Sequence, residues 1–84
     1  MYKVEFNKSA KKDLEKVNSI YLASVASHIK KLAENPRPFD CIKLSVSKNS
    51  YRIRVGVYRI IYTIKDDILV VEVIKIDHRR NIYR

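Results

Sequence analysis

Apolar and polar positions alternate over residues 2–6 (YKVEF), which predicts a short opening strand. The period then lengthens. Ala10, Leu14 and Val17 recur at spacings of four and three, the mark of one helix face, and Asn7 is placed to cap that helix. Asn18-Ser19 interrupts it. A second helix is predicted over 19–34, with Leu22, Val25, Ile29 and Leu32 as its apolar stripe and Ala26 and Ala33 beside them. Asn35-Pro36-Arg37-Pro38 ends it, because proline disfavours helix in the residue before it. Residues 39–50 read as loop with one short strand around 42–44. Residues 51–55 and 58–64 alternate again and are rich in β-branched and aromatic side chains. Gly56, the only glycine, lies between them, and Gly56-Val57 suits a type II′ hairpin turn. Asp66-Asp67 marks a second turn, and 68–76 the last strand. The order β-α-α-β-β-β predicts one small α+β domain over 1–84, with a helix hairpin packed on a mostly antiparallel, twisted sheet.

The hairpin fixes which side chains share a face. With Gly56-Val57 as the loop, Val55 stands opposite Tyr58, Arg54 opposite Arg59 and Ile53 opposite Ile60. Tyr51, Ile53, Val55, Tyr58, Ile60 and Tyr62 then face the helices. Arg52, Arg54 and Arg59 face away. Like charges directly opposite one another oppose folding, so the Arg54–Arg59 pair is a local cost of the kind functional sites show. The same pattern also fits a solvated face, with arginine stems lying over Ile61 and Ile74. Glu72 is the only carboxylate expected on the arginine face, salt-bridged to a neighbouring arginine. The end of the last strand should lie near Tyr58 and Arg59, so that Arg79, His78 and Tyr83 can reach the arginines. A frayed basic tail is the alternative.

Charge sharpens this picture. Lys and Arg number 18 against 9 Asp and Glu, a net charge of +9. The excess is not a tail. Residues 1–50 hold ten basic and five acidic residues, and 51–84 hold eight and four. A body that is cationic throughout points to a polyanionic partner, and nucleic acid is the leading one. Other classes fall away. One cysteine, Cys41, forms no internal disulfide, and with two histidines it is too little for a structural zinc site. The apolar runs are far short of a membrane span, and MYKVEFNKSAKKD has no apolar signal core. No carboxylate constellation, P-loop or glycine-rich dinucleotide motif is present, so no metal or cofactor is expected. His28 reads as a surface histidine in mid-helix, and Cys41 as buried or inert.

YRIRVGVYRIIYTI (51–64) followed by VVEVIKIDHRRNIYR (70–84) resembles the RelE family of bacterial and archaeal toxins. ENPRP and VEFNKSAKKDLEKV fit the same pattern, so the resemblance covers essentially the whole chain. It implies the toxin of a type II toxin–antitoxin pair, a cytoplasmic protein that enters the ribosomal A site and cuts mRNA there. Arg52 and Arg54 match paired basic positions before the hairpin, although some relatives use lysines. Arg59 matches the arginine that holds the scissile phosphate. Arg79 matches a basic residue near the end of the last strand, and Tyr83 a tyrosine that acts as general base or stacks on a base. His78 stands where relatives carry His or Lys, and Arg80 joins it as an RNA contact. The implied reaction is metal-free attack of a ribose 2′-OH on its own 3′-phosphate. Lys8, Lys11 and Lys12, with Lys16 and Lys30-Lys31, suit ribosomal RNA phosphate or serve solubility alone.

The resemblance also implies partners: a RelB-like antitoxin and the ribosome with its mRNA and ribosomal RNA. It implies operator DNA bound through the antitoxin, and no membrane. The antitoxin would cover the arginines or displace the segment from residue 77 onward, with 78–84 more mobile than the sheet or repositioned in the bound form. Two rival readings stand beside this one. One is a ParE-type gyrase inhibitor of the same fold, which generally lacks the set Arg54, Arg59, Arg79 and Tyr83. The other is a non-catalytic nucleic-acid-binding module.

Overall fold

In the computed structural model, which describes residues 1–78, two asparagines start the two helices. The Asn7 side chain accepts from the Ala10 backbone N–H at 2.8 Å and opens α1 (Lys8–Glu15). The Asn18 side chain accepts from the Ile20 N–H at 3.0 Å and opens α2 (Ser19–Lys31). Before them lies β1 (Lys3–Phe6), and after them β2 (Ile42–Lys43), β3 (Ser50–Val55), β4 (Tyr58–Lys65) and β5 (Val70–His78). The strands form one sheet ordered β1-β5-β4-β3-β2, with β1 parallel to β5 and every other neighbour antiparallel. The expected α+β architecture is present, and the short segment near residue 42 adds a fifth strand at the edge.

Both helices pack on one face of this sheet. Ala10 and Val17, then Val25, Ile29 and Leu32, meet the inward side chains of β3, β4 and β5. The predicted stripe of α2 is narrower than expected. Leu22 is 41% exposed and Ala26 is exposed. Tyr21 turns toward the sheet instead, one residue along, and its ring meets Tyr58 edge-on at 5.7 Å. The helix ends at Lys31 rather than at 34, in a turn leading to the buried Pro36, whose carbonyl accepts from the Tyr62 hydroxyl at 2.7 Å. Burial pushes the Tyr62 phenol well above the usual tyrosine range.

Beyond the end of β1, the edge of β5 is covered by α1. Asp13 accepts the Ile76 backbone N–H at 3.0 Å, satisfying a strand-edge donor that has no partner strand. At the opposite end of the sheet a polar clip ties four segments together. Arg37 grips Asp66 through both carboxylate oxygens, at 2.8 and 3.3 Å, and donates to the Tyr51 hydroxyl at 3.1 Å. The Tyr2 hydroxyl donates to Asp66 at 2.6 Å. Arg37, then Tyr2, holds the Asp66 carboxyl below the usual carboxylate range. A depressed folded-state pKa stabilises above the unfolded pKa, and that benefit disappears as pH falls through the folded one. Asp66→Asn should therefore lower thermal stability above about pH 4. Its deficit should shrink toward zero in stronger acid, as followed by melting curves across pH.

Candidate nucleic-acid interface

The β3–β4 hairpin builds the site. Gly56 has φ +60° while Val57 is not in the left-handed region, as a type II′ turn requires. A Cβ on Gly56 would also lie 2.9 Å from the Tyr21 ring. The register is the expected one: Val55 opposite Tyr58, Arg54 opposite Arg59, Ile53 opposite Ile60. Arg54 and Arg59 are therefore cross-strand neighbours on the face away from the helices. Arg52 lies on the same face of β3, opposite Ile61, and is half-buried, while Arg54 is exposed.

Arg59 departs from expectation. It lies on the outer face as predicted, yet is only 6% exposed rather than solvated. A guanidinium held out of water demands charge compensation. The residue directly across from it on β5 is Asp77, so one row runs Arg54, Arg59, Asp77 across three strands. Asp77, not Glu72, is the acid of this row. Glu72 stands opposite Thr63 and pairs with Lys65 at 3.5 Å rather than with an arginine.

A β-bulge explains the exchange. Ile61 pairs with Lys75 but Tyr62 pairs with Val73, so Ile74 is the extra residue. Past the bulge every side chain of β5 changes face relative to an unbroken strand. Ile76 thereby enters the core, Asp77 joins the arginines, and His78 moves to the helix side. His78 stands opposite Tyr58, and their rings meet edge-on at 5.3 Å. The expectation that His78 joins the arginine cluster is thus corrected. The signal was in the sequence: the buried positions Val71, Val73 and Ile76 break strict alternation by one residue.

Tyr58 anchors this end of the molecule. Its hydroxyl accepts from the Asn18 backbone N–H at 2.8 Å, linking the start of α2 to the hairpin. Beside the hairpin, Asp40, Ile42, Arg52, Arg54 and Gly56 line a shallow depression of about 490 Å³. Lys8, Lys11 and Lys12 are exposed on α1, in the helix layer, and do not share a face with the arginine row. Arg79, Arg80 and Tyr83 lie outside the described residues. Among the described residues no three His, Cys, Asp or Glu side chains come together as a metal-holding group. No helix among those residues is long and apolar enough to cross a membrane.

Comparison with known proteins agrees with this geometry. Residues 4–83 match the family model of the ParE toxin of type II toxin–antitoxin systems, parDE. The chain is 31% identical to the toxin RelG of Mycobacterium tuberculosis over 84 residues, covering 99% of this chain and 97% of that protein. Its fold superposes on a chain of the intact E. coli RelBE toxin–antitoxin complex with TM-score 0.81 and 26% identity, covering 93% of this chain and 96% of that one. The archaeal RelE–RelB complex of Pyrococcus horikoshii OT3 matches with TM-score 0.81 and 29% identity, over 93% and 94% of the two chains. Matches of this extent, on a helix hairpin over a five-stranded sheet, place the chain in the RelE/ParE superfamily of type II toxin–antitoxin toxins.

Proposed function

We propose that this toxin is a ribosome-dependent, metal-independent mRNA endonuclease. The observation that supports this reading above others is the arginine row. Arg54 and Arg59 stand side by side on a rigid strand pair, with Arg52 beside them. Guanidinium forks match phosphate oxygens and stay charged at any working pH. In the proposed reaction the ribose 2′-OH attacks the adjacent phosphorus, the 5′-oxygen leaves, and a 2′,3′-cyclic phosphate remains. Arg59, supported by Arg54 and Arg79, stabilises the extra negative charge on phosphorus. Arginine is a poor proton donor or acceptor, with a pKa above ~12. Proton transfer is therefore assigned to Tyr83, with His78 as the second candidate. His78, placed against Tyr58 on the helix side, would first have to move to reach a phosphate on the arginine face. An unperturbed tyrosine has a pKa of about 10 and is a weak base at neutral pH. Positioning of the message by the ribosome must then supply much of the rate. Arg52, His78 and Arg80 contact the message in this reading, and Lys8, Lys11 and Lys12 contact ribosomal RNA.

Because guanidinium does the work a divalent ion does elsewhere, cleavage should persist in EDTA. The check is a 5′-labelled message on ribosomes held together in a spermidine buffer that needs no free divalent ion. Cutting restored only by one specific metal would contradict the assignment. An antitoxin is the proposed partner, since the E. coli and Pyrococcus horikoshii neighbours are complexes of RelE with RelB. It would carry acidic residues where it covers the arginine row. Operator DNA would be bound through that antitoxin, and the cytoplasm is the proposed location. The name of the matched family model favours a second reading, inhibition of DNA gyrase as by a ParE toxin. Loss of gyrase supercoiling on adding the purified protein would select it.

A further inference from the structure

The depression beside the arginine row contains one residue that a phosphate grip does not explain. Asp40 lines it together with Arg52 and Arg54. A carboxylate there weakens phosphate binding by like-charge repulsion. It is not used to neutralise the arginines either, because Asp40 takes part in none of the ion pairs among the described residues. Its placement is also built rather than incidental. The Cys41 backbone N–H donates to the Pro38 carbonyl at 3.0 Å, closing a four-residue turn with Phe39 and Asp40 at its corners. The turn is held from both sides, by the buried Pro36 before it and by Cys41, which packs against the core, after it. At its tip the Phe39 ring is fully exposed, at 105%. Phe39 directly precedes in the chain the residue that shares a depression with Arg52 and Arg54, and an aromatic ring held in water is a surface on which single-stranded nucleic acids stack their bases.

We propose that this turn and depression form a guanine-reading subsite for the RNA strand, an inference that rests on the RNA reading of the arginine row. Phe39 stacks on the base, Asp40 reads its edge, and Arg52 and Arg54 hold the adjoining phosphates. The choice of base follows from acceptor chemistry. An ionised carboxylate accepts only, at two oxygens. Guanine offers N1–H and N2–H₂ side by side on one edge, which matches both oxygens. Adenine and cytosine each place a ring acceptor next to their single amino group, and uracil flanks its one N–H with two carbonyls. The volume of about 490 Å³ lies within the ~300–1,000 Å³ typical of small-ligand sites.

The test uses the full chain and an uncleavable 2′-O-methyl heptamer, UUUGUUU, compared with the same strand carrying inosine, which lacks only the N2 amino group. Fluorescence anisotropy should show the wild type binding the guanosine strand about tenfold more tightly, the scale of a lost base-edge contact. Asp40→Ala should bind both strands alike, and Phe39→Ala should weaken both by the same factor. Equal binding of the two strands by the wild type overturns the subsite, as does an Asp40→Ala protein that keeps the wild-type ratio. Arg54→Ala separates this failure from a failure of the underlying reading. If it loses binding while guanosine and inosine bind alike, only the subsite falls. If it binds as the wild type does, the RNA reading of the arginine row falls and the subsite with it.

Discussion

Arg59→Ala is expected to abolish message cleavage and leave the fold in place. The side chain lies on the outer face of the sheet, so its removal takes nothing from the packed core under the helices. Loss of one well-placed charge-stabilising donor typically lowers rate by ~10²–10³. Arg54→Ala should fall in the same direction by less, because Arg54 is exposed and held only by a long hydrogen bond, 3.4 Å, from its Nε to the Gly56 carbonyl. Arg59→Lys should recover little, since an ammonium group cannot fork onto two phosphate oxygens. Single-turnover cleavage on programmed ribosomes, with circular dichroism as the control for folding, makes the comparison. A folded Arg59→Ala protein that cuts at the wild-type rate would remove Arg59 from the site.

The next residue along the strand should behave in the opposite way. Ile60 is fully buried beneath the helices. Ile60→Ala removes buried methyl and methylene groups and leaves a cavity, a loss of ~2–5 kcal/mol. A domain of this size has a total stability of roughly 5–15 kcal/mol. The melting temperature should therefore fall by roughly 10–30 °C. Activity per mole of folded protein, measured well below the transition, should stay near wild type. An unchanged melting temperature would mean that the sheet face is not packed as described. Neighbouring residues with opposite consequences are what a two-faced strand predicts.

The hairpin was legible in the sequence because two strong signals coincide there. Period-two patterning flanks the only glycine, and the turn type that glycine permits fixes the register. The start of the first helix was legible because an asparagine cap is a local device; Asn18 reads in the sequence as a break, and its capping of the second helix appears only in the structure. What escaped the sequence reading depends on non-local packing. Leu22 fits the helical stripe but is left exposed, and Tyr21 takes the inward place against Tyr58. The last strand starts at Val70 rather than at 68 because the second turn spans four residues, ending on Leu69 with φ +53°. A branched apolar residue in the left-handed region is not what turn propensity anticipates. The bulge at Ile74 moved His78 to the helix side and brought Asp77 to the arginines. No glycine marks that bulge, so only the one-residue slip in the apolar pattern records it. The arginine row itself was readable as types and positions. The burial of Arg59 was not, because alternation tells which face a side chain takes and not what lies over it.

The proposed cleavage of messages on the ribosome by the arginine row has a direct test. A cell-free translation reaction receives the purified protein, and the 3′ ends of the message are mapped at single-nucleotide resolution. New ends spaced by codons within the translated region are expected, each carrying a 2′,3′-cyclic phosphate. None are expected when ribosomes are omitted and none with Arg59→Ala. An intact message in the complete reaction, with wild-type protein shown to be folded, would contradict the proposed cleavage.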